Sequence, residues 1–338
     1  MALTQGDPAG VGPEIIVKLL VSEPPSNEWR PLVFAEKVGL DSVPPSVIGR
    51  LTDRLVYFPS IPSRSEIDAL PLEAVPVVDP VAEVRSLHPG QSGAPDAGGA
   101  MAALDAGIEA VRLGSANALV TAPVSKASIA RHHRPDFRGH TEYLAEAAGL
   151  ERYGRDYLMA FLTPDLQVAL LTTHLPLREA LNEIGEEALV DALLLLNRAA
   201  GGCVVVAGVN PHAGEGGLLG AEEIEVVQPA VERAREQGVD VSGPASADSL
   251  FARARQGEYD WVLSLYHDQG LIAVKTSAFG LATNWTLGLP FLRTSVDHGT
   301  AFDIAGRGVA DAGSLIQVVQ TTLALISGDL PRNSSASN

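Results

Sequence analysis

Cysteine is almost missing from this chain. Cys203 is the single one in 338 residues, which excludes a disulfide framework and any cysteine-rich zinc module. Cationic side chains are also scarce: Lys and Arg number 24 against 41 Asp and Glu, a formal net charge of −17. A surface of that sign repels phosphate backbones, so nucleic-acid binding is not expected. No apolar run reaches the ~18 residues that a membrane-spanning helix needs, and the N-terminus lacks the basic-then-apolar layout of a secretory signal. These absences predict a soluble protein of a reducing cytoplasm, without membrane or nucleic-acid partners. What is present is length and apolar content: 46% hydrophobic residues over 338 positions suit two domains, or one large α/β unit.

The hydrophobic pattern alternates. Short β-rich runs (RPLVFAE, ANALVTAP, LQVALLTTH, GGCVVVAGVN, DWVLSLYHD) are separated by Ala/Leu/Glu stretches with helical spacing, such as GGAMAALDAGIEAVRLG, GEEALVDALLLLNRAA and EEIEVVQPAVERAREQG. That order reads as βαβ units and a largely parallel sheet buried on both faces. Residues 40–100 are rich in proline, including Pro44, Pro45, Pro59, Pro62, Pro71 and Pro76, which predicts irregular connections and edge elements. The polar stretch RHHRPDFRGHTEY marks a candidate boundary. There is no internal repeat, and the tail PRNSSASN is expected to be disordered.

Three of the 8 histidines, His174, His212 and His267, each follow an apolar strand run. In open α/β sheets that edge is where ligands bind. Imidazoles converging there from separate strands would bind Zn²⁺ or a similar divalent ion, with positions left open for substrate oxygens. A single histidine at a strand end is commonly a hydrogen-bonded structural residue, and the spacings match no short metal signature. The flanking groups favour the site: Asn210 and a glycine-rich turn around His212, and Asp268 beside His267.

Near the N-terminus, QGDPAGVGPEII runs from a strand through a turn into a helix beginning near Pro13. Gly6, Gly10 and Gly12 suggest a nucleotide loop, yet no Gly-Lys-Ser/Thr follows and Asp7 puts a negative charge where a phosphate would sit. The segment reads better as a tight strand-to-helix turn. Lys275, Arg293 and Asn284 lie in apolar, turn-bounded segments and suit a bound phosphate or carboxylate; surface salt bridges are the alternative. His140 and Thr141 form a polar pair at a helix start, where Thr141 could equally cap the helix.

Taken together, GDPAGVGPE, RGHTEYLAE, TTHLPLRE, NPHAGEGG, YHDQGL and TLGLPFLRTSVDHGTAFDIAGRG resemble the 4-hydroxythreonine-4-phosphate dehydrogenases, the PdxA family, over residues 3 to 325 or so. The resemblance implies two α/β domains with a cleft between them, similar to isocitrate and isopropylmalate dehydrogenases and not Rossmann. It places the first domain at residues 1–130 plus 275–330 and the second at 131–274, with 331–338 a disordered tail. It further implies a metal-dependent, NAD-linked oxidation of 4-phosphooxy-L-threonine at C3, followed by decarboxylation to 3-amino-2-oxopropyl phosphate, in vitamin B6 biosynthesis. Metal ligands would be His174, His212 and His267, for zinc, magnesium, manganese or cobalt. Substrate contacts would be His140, Thr141, Lys275, Asn284 and Arg293.

The loop DHGTAFDIAGRG is similar to the adenosine-binding loop of isopropylmalate dehydrogenases. His298, Gly299 and Asp303 are therefore expected to bind NAD, with Asp303 accepting from the ribose hydroxyls and repelling the 2′-phosphate of NADP. Asp248 and Asp268 are candidates for the base or for partners that orient the histidines, with Lys126 a further candidate. The resemblance also implies a homodimer with a metal site shared across the interface, His267 joining His174 and His212 of the other chain. ATNWT, with Trp285 beside Asn284, and GPASADS, with Ser246 and Ser249, depart from the common pattern. Relatives acting on 4-phosphothreonate or erythronate-type acids, or on a cis-dihydrodiol dicarboxylate, therefore remain alternatives, as does a non-catalytic binder of an anionic metabolite.

Overall fold

A computed structural model describes residues 1–329; the expected tail at 331–338 lies outside the described residues. The chain forms two compact units, Met1–Leu144 with Phe291–Ser327, and a second built on Ala145–Pro290. The first unit carries strands β1 (Ala2–Thr4), β2 (Leu32–Phe34), β3 (Leu55–Phe58), β4 (Val75–Val78), β5 (Ala118–Thr121) and, after the second unit in sequence, β12 (Leu292–Ser295). They lie in the order β3-β4-β2-β1-β5-β12, and every pairing is parallel. The proline-rich stretch supplies β3 and β4 at one edge, as its composition predicts. The helix Gly12–Ser22 buries Ile15, Ile16, Leu19 and Leu20, and the helix Ala94–Arg112 buries Met101, Leu104 and Ile108. Burial on both faces explains why the strands read as unbroken apolar runs.

The second unit holds β6 (Leu158–Leu162), β7 (Gln167–Leu170), β8 (Val204–Ala207), β9 (Val241–Ala245), β10 (Trp261–Ser264) and β11 (Thr283–Leu287), in the order β11-β6-β7-β10-β8-β9. Here the expectation of a largely parallel sheet needs a qualification, because β6 runs antiparallel to both β11 and β7. Its own core contains Met159, Phe161, Val168, Leu170, Val205, Leu250, Val262 and Val274.

The compact units divide at 144/145 and 290/291, where the sequence places breaks at 130/131 and 274/275. Packing accounts for the displacement. Phe137 and Ile129 bury against Ala97, Ala100 and Met101 of the helix Ala94–Arg112, which keeps the polar RHHRPDFRGHTEY segment with the first unit. At the other boundary, β11 is hydrogen-bonded along its length to β6, which keeps it with the second.

Candidate functional site

In the second unit β10 lies between β7 and β8 and is parallel to both, so the three segments that leave their C-terminal ends emerge side by side. These segments carry His174, His267 and His212. Backbone and side-chain bonds fix their spacing. Leu171 N–H donates to the Ser264 carbonyl at 2.8 Å, and Thr172 Oγ1 donates to the Leu265 carbonyl at 2.8 Å. Gln269 bridges in the other direction, accepting from Leu265 N–H at 2.7 Å and donating to the Gly208 carbonyl at 2.8 Å. Thr172 and Gln269 were not legible as site residues, since a lone threonine or glutamine carries no spacing signal.

The His174 and His267 rings face one another with centroids 5.5 Å apart, tilted by 42°. His267 Nδ1 lies 2.8 Å from Asp268 Oδ1. A carboxylate only accepts, so the shared proton sits on Nδ1 and the Nε2 lone pair stays available to a ligand. His212 stands elsewhere on this edge. Its side chain is 62% exposed and its Nδ1 is 3.8 Å from Asp248 Oδ2, while Asp248 accepts from Ser246 Oγ at 2.8 Å. That hydroxyl is the first cause holding the Asp248 carboxyl below the usual range. Among the described residues no group of three or more His, Cys, Asp or Glu side chains is placed to hold a metal ion. Within one chain, His267 lies against His174. Asp248 and Asp268 stand beside histidines, a place that suits orienting partners.

Lys275 lies exposed in the last turn of the helix His267–Ser277, and Asn284 lies on β11. The Asn284 Oδ1 is closed to solvent and has no hydrogen-bond partner among the described residues. Strand alternation sends the neighbouring Trp285 to the opposite face, where it packs against Trp261 at 6.3 Å between centroids. The unusual tryptophan is thus a core residue.

In the first unit Arg293 is 1% exposed on β12, and its Nη2 donates to Thr121 Oγ1 at the end of β5, at 2.8 Å. Burial pushes its pKa down to about 9, with Glu142 opposing. His140 and Thr141 open the helix His140–Ala147, Thr141 being buried. Burial first, then the charges of Arg293 and Lys126, hold His140 well below the usual imidazole range, so it is neutral at pH 7. Its Nε2 is shut off from solvent and lacks a hydrogen-bond partner among the described residues. Such an orphan between two cations is suited to an anion's oxygen.

The glycine-rich turn is structural, as its sequence suggested. Gly6 has φ +68°, and a Cβ there would run into the Pro123 carbonyl oxygen. Asp7 is buried and satisfied within the turn, accepting from Ala9 N–H at 3.0 Å and Ser92 Oγ at 2.7 Å; burial raises its pKa. The turn supports the loop that carries His298, Gly299 and Asp303: Val11 N–H donates to the Thr300 carbonyl at 3.0 Å. Farther along, buried Glu14 accepts from Gly308 and Ala310 N–H at 3.1 and 2.7 Å. At the tip, a Cβ on Gly299 would meet open space. Asp303 is exposed, within the run of turns that follows.

Comparison with known proteins identifies the family. The family model described as Pyridoxal phosphate biosynthetic protein PdxA matches residues 45–322. A 4-hydroxythreonine-4-phosphate dehydrogenase of Aromatoleum aromaticum is 40% identical over 335 residues, covering 96% of each chain. One from Caulobacter vibrioides is 41% identical over 334 residues, covering 95% of each. Among solved structures, the chain is similar to a 4-hydroxythreonine-4-phosphate dehydrogenase from Klebsiella pneumoniae (TM-score 0.81, 33% identity, 96% of each chain). It is also similar to a terephthalate 1,2-cis-dihydrodiol dehydrogenase from Burkholderia xenovorans (TM-score 0.62, 27% identity, 97% of each chain).

Proposed function

We propose, for a chain that belongs to the pyridoxal phosphate biosynthetic protein PdxA family, the NAD-linked oxidation of 4-phosphooxy-L-threonine at its C3 hydroxyl, with loss of CO₂ to give 3-amino-2-oxopropyl phosphate. The observation that carries this reading is the His174–His267 pair at 5.5 Å, with the His267 tautomer set by Asp268, on the strand-end edge where α/β proteins bind ligands.

The donor set fits a divalent metal. His174 and His267 of one chain would hold it together with His212, and Asp268 and Asp248 would orient two of the three imidazoles. When bound, such an ion (zinc, magnesium, manganese or cobalt) supplies Lewis acidity that lowers the pKa of a substrate hydroxyl. Arg293 and Lys126 provide fixed positive charge for the substrate's phosphate or carboxylate, and neutral His140 provides a ring nitrogen for its oxygens. Thr141, Asn284 and Lys275 are assigned to the substrate as well. His298, Gly299 and Asp303 are assigned to NAD, where an exposed carboxylate accepts from a 2′-hydroxyl and repels a 2′-phosphate.

A homodimer supplies the third imidazole: His212 projects outward at 62% exposure. The segments bearing the three histidines also expose Leu175, Leu177, Leu218, Leu219 and Phe279, the side chains a second copy of the chain would cover. No helix among the described residues is long and apolar enough to cross a membrane.

The test is NADH absorbance with 4-phosphooxy-L-threonine and added Zn²⁺, Mn²⁺ or Mg²⁺, repeated with NADP. Turnover with NAD and little with NADP is expected. The likeness to a cis-dihydrodiol dehydrogenase favours one second reading, so the assay is run in parallel with 4-phosphothreonate and a cis-dihydrodiol dicarboxylate. Preference for either acid would reassign the substrate, and no turnover with any of them would overturn the enzyme reading.

A further inference from the structure

The loop after β8 has an unusual backbone. His212, Ala213, Gly214, Glu215 and Gly216 all have positive φ, at 52°, 51°, 79°, 44° and 65°, and Gly217 follows at 92°, a left-handed run of six consecutive residues. Three of them are not glycine, and L-residues with a Cβ resist this conformation because the Cβ crowds the following carbonyl. Such a turn persists only where its surroundings over-determine it.

The surroundings here converge on Asn210, whose Nδ2 donates to exposed Glu222 at 2.6 Å and which buried Glu223 holds by side chain and backbone alike. Glu223 is 2% exposed and opens a π-helical segment, Glu223–Val227, that continues into the helix Gln228–Glu236. This base is anchored, since Val227, Ala230, Val231 and Ala234 are buried. Glu223 Oε1 accepts from the Asn210 backbone N–H at 2.7 Å and Oε2 from Asn210 Nδ2 at 2.9 Å, so both oxygens grip the residue two positions before His212. The carboxylate also lies against the turn: a Cβ on Gly214 would come within 2.7 Å of Oε2, and one on Gly208 within 3.3 Å of Oε1. Asn210 passes the constraint on, its carbonyl accepting from Ala213 N–H at 3.1 Å, while the Gly214 carbonyl accepts from Leu219 N–H at 3.0 Å.

We propose that Glu223 is a positioning residue, which holds the left-handed turn through Asn210 and so fixes the direction in which His212 is projected. A glutamate is required because two donors from one residue need two acceptor oxygens at a fixed separation, and a glutamine offers one. The inference rests on the reading of His212 as a metal ligand given above.

The test compares full-length Glu223→Gln, Asn210→Ala and His212→Ala with the parent, by Zn²⁺ affinity of the metal-stripped protein in competition with a chromogenic chelator and by amide exchange at Ala213 and Leu219. Glu223→Gln is expected to weaken Zn²⁺ binding about 10–100-fold, the range for partners that orient a ligand. Exchange at both amides should quicken, and kcat should recover when Zn²⁺ is raised. Asn210→Ala, which removes the side-chain half of this grip and keeps the backbone N–H bond to Oε1, should do likewise to a smaller degree and serves if Glu223→Gln does not fold. Unchanged Zn²⁺ affinity in Glu223→Gln, alongside its loss in His212→Ala, would overturn the positioning role and leave the metal reading intact. Unchanged affinity in His212→Ala would instead overturn the metal reading, and Glu223 is then judged by exchange alone: faster exchange upholds its hold on the turn, and unchanged exchange removes it.

Discussion

A buried arginine and a neutral histidine of the first unit carry the first two predictions. Arg293 is enclosed on β12 with one nitrogen on Thr121, so its planar fork is pre-aimed, and lysine would keep the charge while losing that geometry. Arg293→Lys should lower kcat/KM by the equivalent of about 1.5–3 kcal/mol, the range for hydrogen bonds to charged groups. Steady-state kinetics check this, and an unchanged kcat/KM would remove Arg293 from the substrate site. His140 bears on stability. Its folded pKa lies well below the unfolded value, by burial and then by Arg293 and Lys126. Below the unfolded pKa of 6.5 or so, the unfolded chain therefore binds a proton that the folded one refuses. Stability from this group is present above that pH and lost as pH falls through it, by up to about 1.4 kcal/mol per pH unit. His140→Asn should flatten the fall between pH 6.5 and 5 in denaturant titrations, and a parallel curve would show that His140 already ionises in the folded state. Arg293 was visible in the sequence because a basic residue in an apolar run of an acidic chain asks for a reason. The isolation of the His140 Nε2 was not, since burial depends on packing that no local pattern encodes.

Strand direction was the part of the element pattern that composition hid. LMAFL of β6 and QVAL of β7 read alike as buried strands, and burial on both faces erases the alternation that would separate the cases. The signal was the connection: residues 163–166 are too few for a crossover, so the two strands had to be antiparallel. Helix approach shows the same dependence on contacts. Gly270, in the helix that opens with His267, sits where a Cβ would fall 2.8 Å from Leu170 Cδ2 and Val168 Cγ1 and 2.9 Å from Ser264 Oγ. Those side chains belong to the strands that present the histidines, and they cannot give way freely in a close-packed core. Gly270→Ala should therefore cost about 1–3 kcal/mol of stability, the range for overpacking, and should weaken metal binding by shifting His267 away from His174. Thermal unfolding together with Zn²⁺ affinity checks this. A stabilised variant, as helix propensity alone would give, would mean that the helix has room to move.

At the scale of the whole molecule, the order of strands brings His174, His212 and His267 to one edge from positions 38 and 55 residues apart. That much was legible, because each follows a strand run and β10 lies between β7 and β8. Their division between chains was not legible, because it depends on which rings face each other. With His174 beside His267 in one chain and His212 on its left-handed turn, the shared site proposed above would take the first two from one protomer and His212 from its partner. Mixing mutant chains distinguishes this from the alternative. In a heterodimer of His174→Ala and His212→Ala chains, one site contains both damaged residues and the other contains none, so activity should return. With random exchange about half the dimers are mixed and half of their sites intact, which sets recovery near a quarter of the wild-type value. A heterodimer of His174→Ala and His267→Ala chains has one damaged ligand in each site and should stay inactive. Recovery in the second mixture would return His267 to the partner's side, and no recovery in either mixture after verified exchange would place the whole site within one chain.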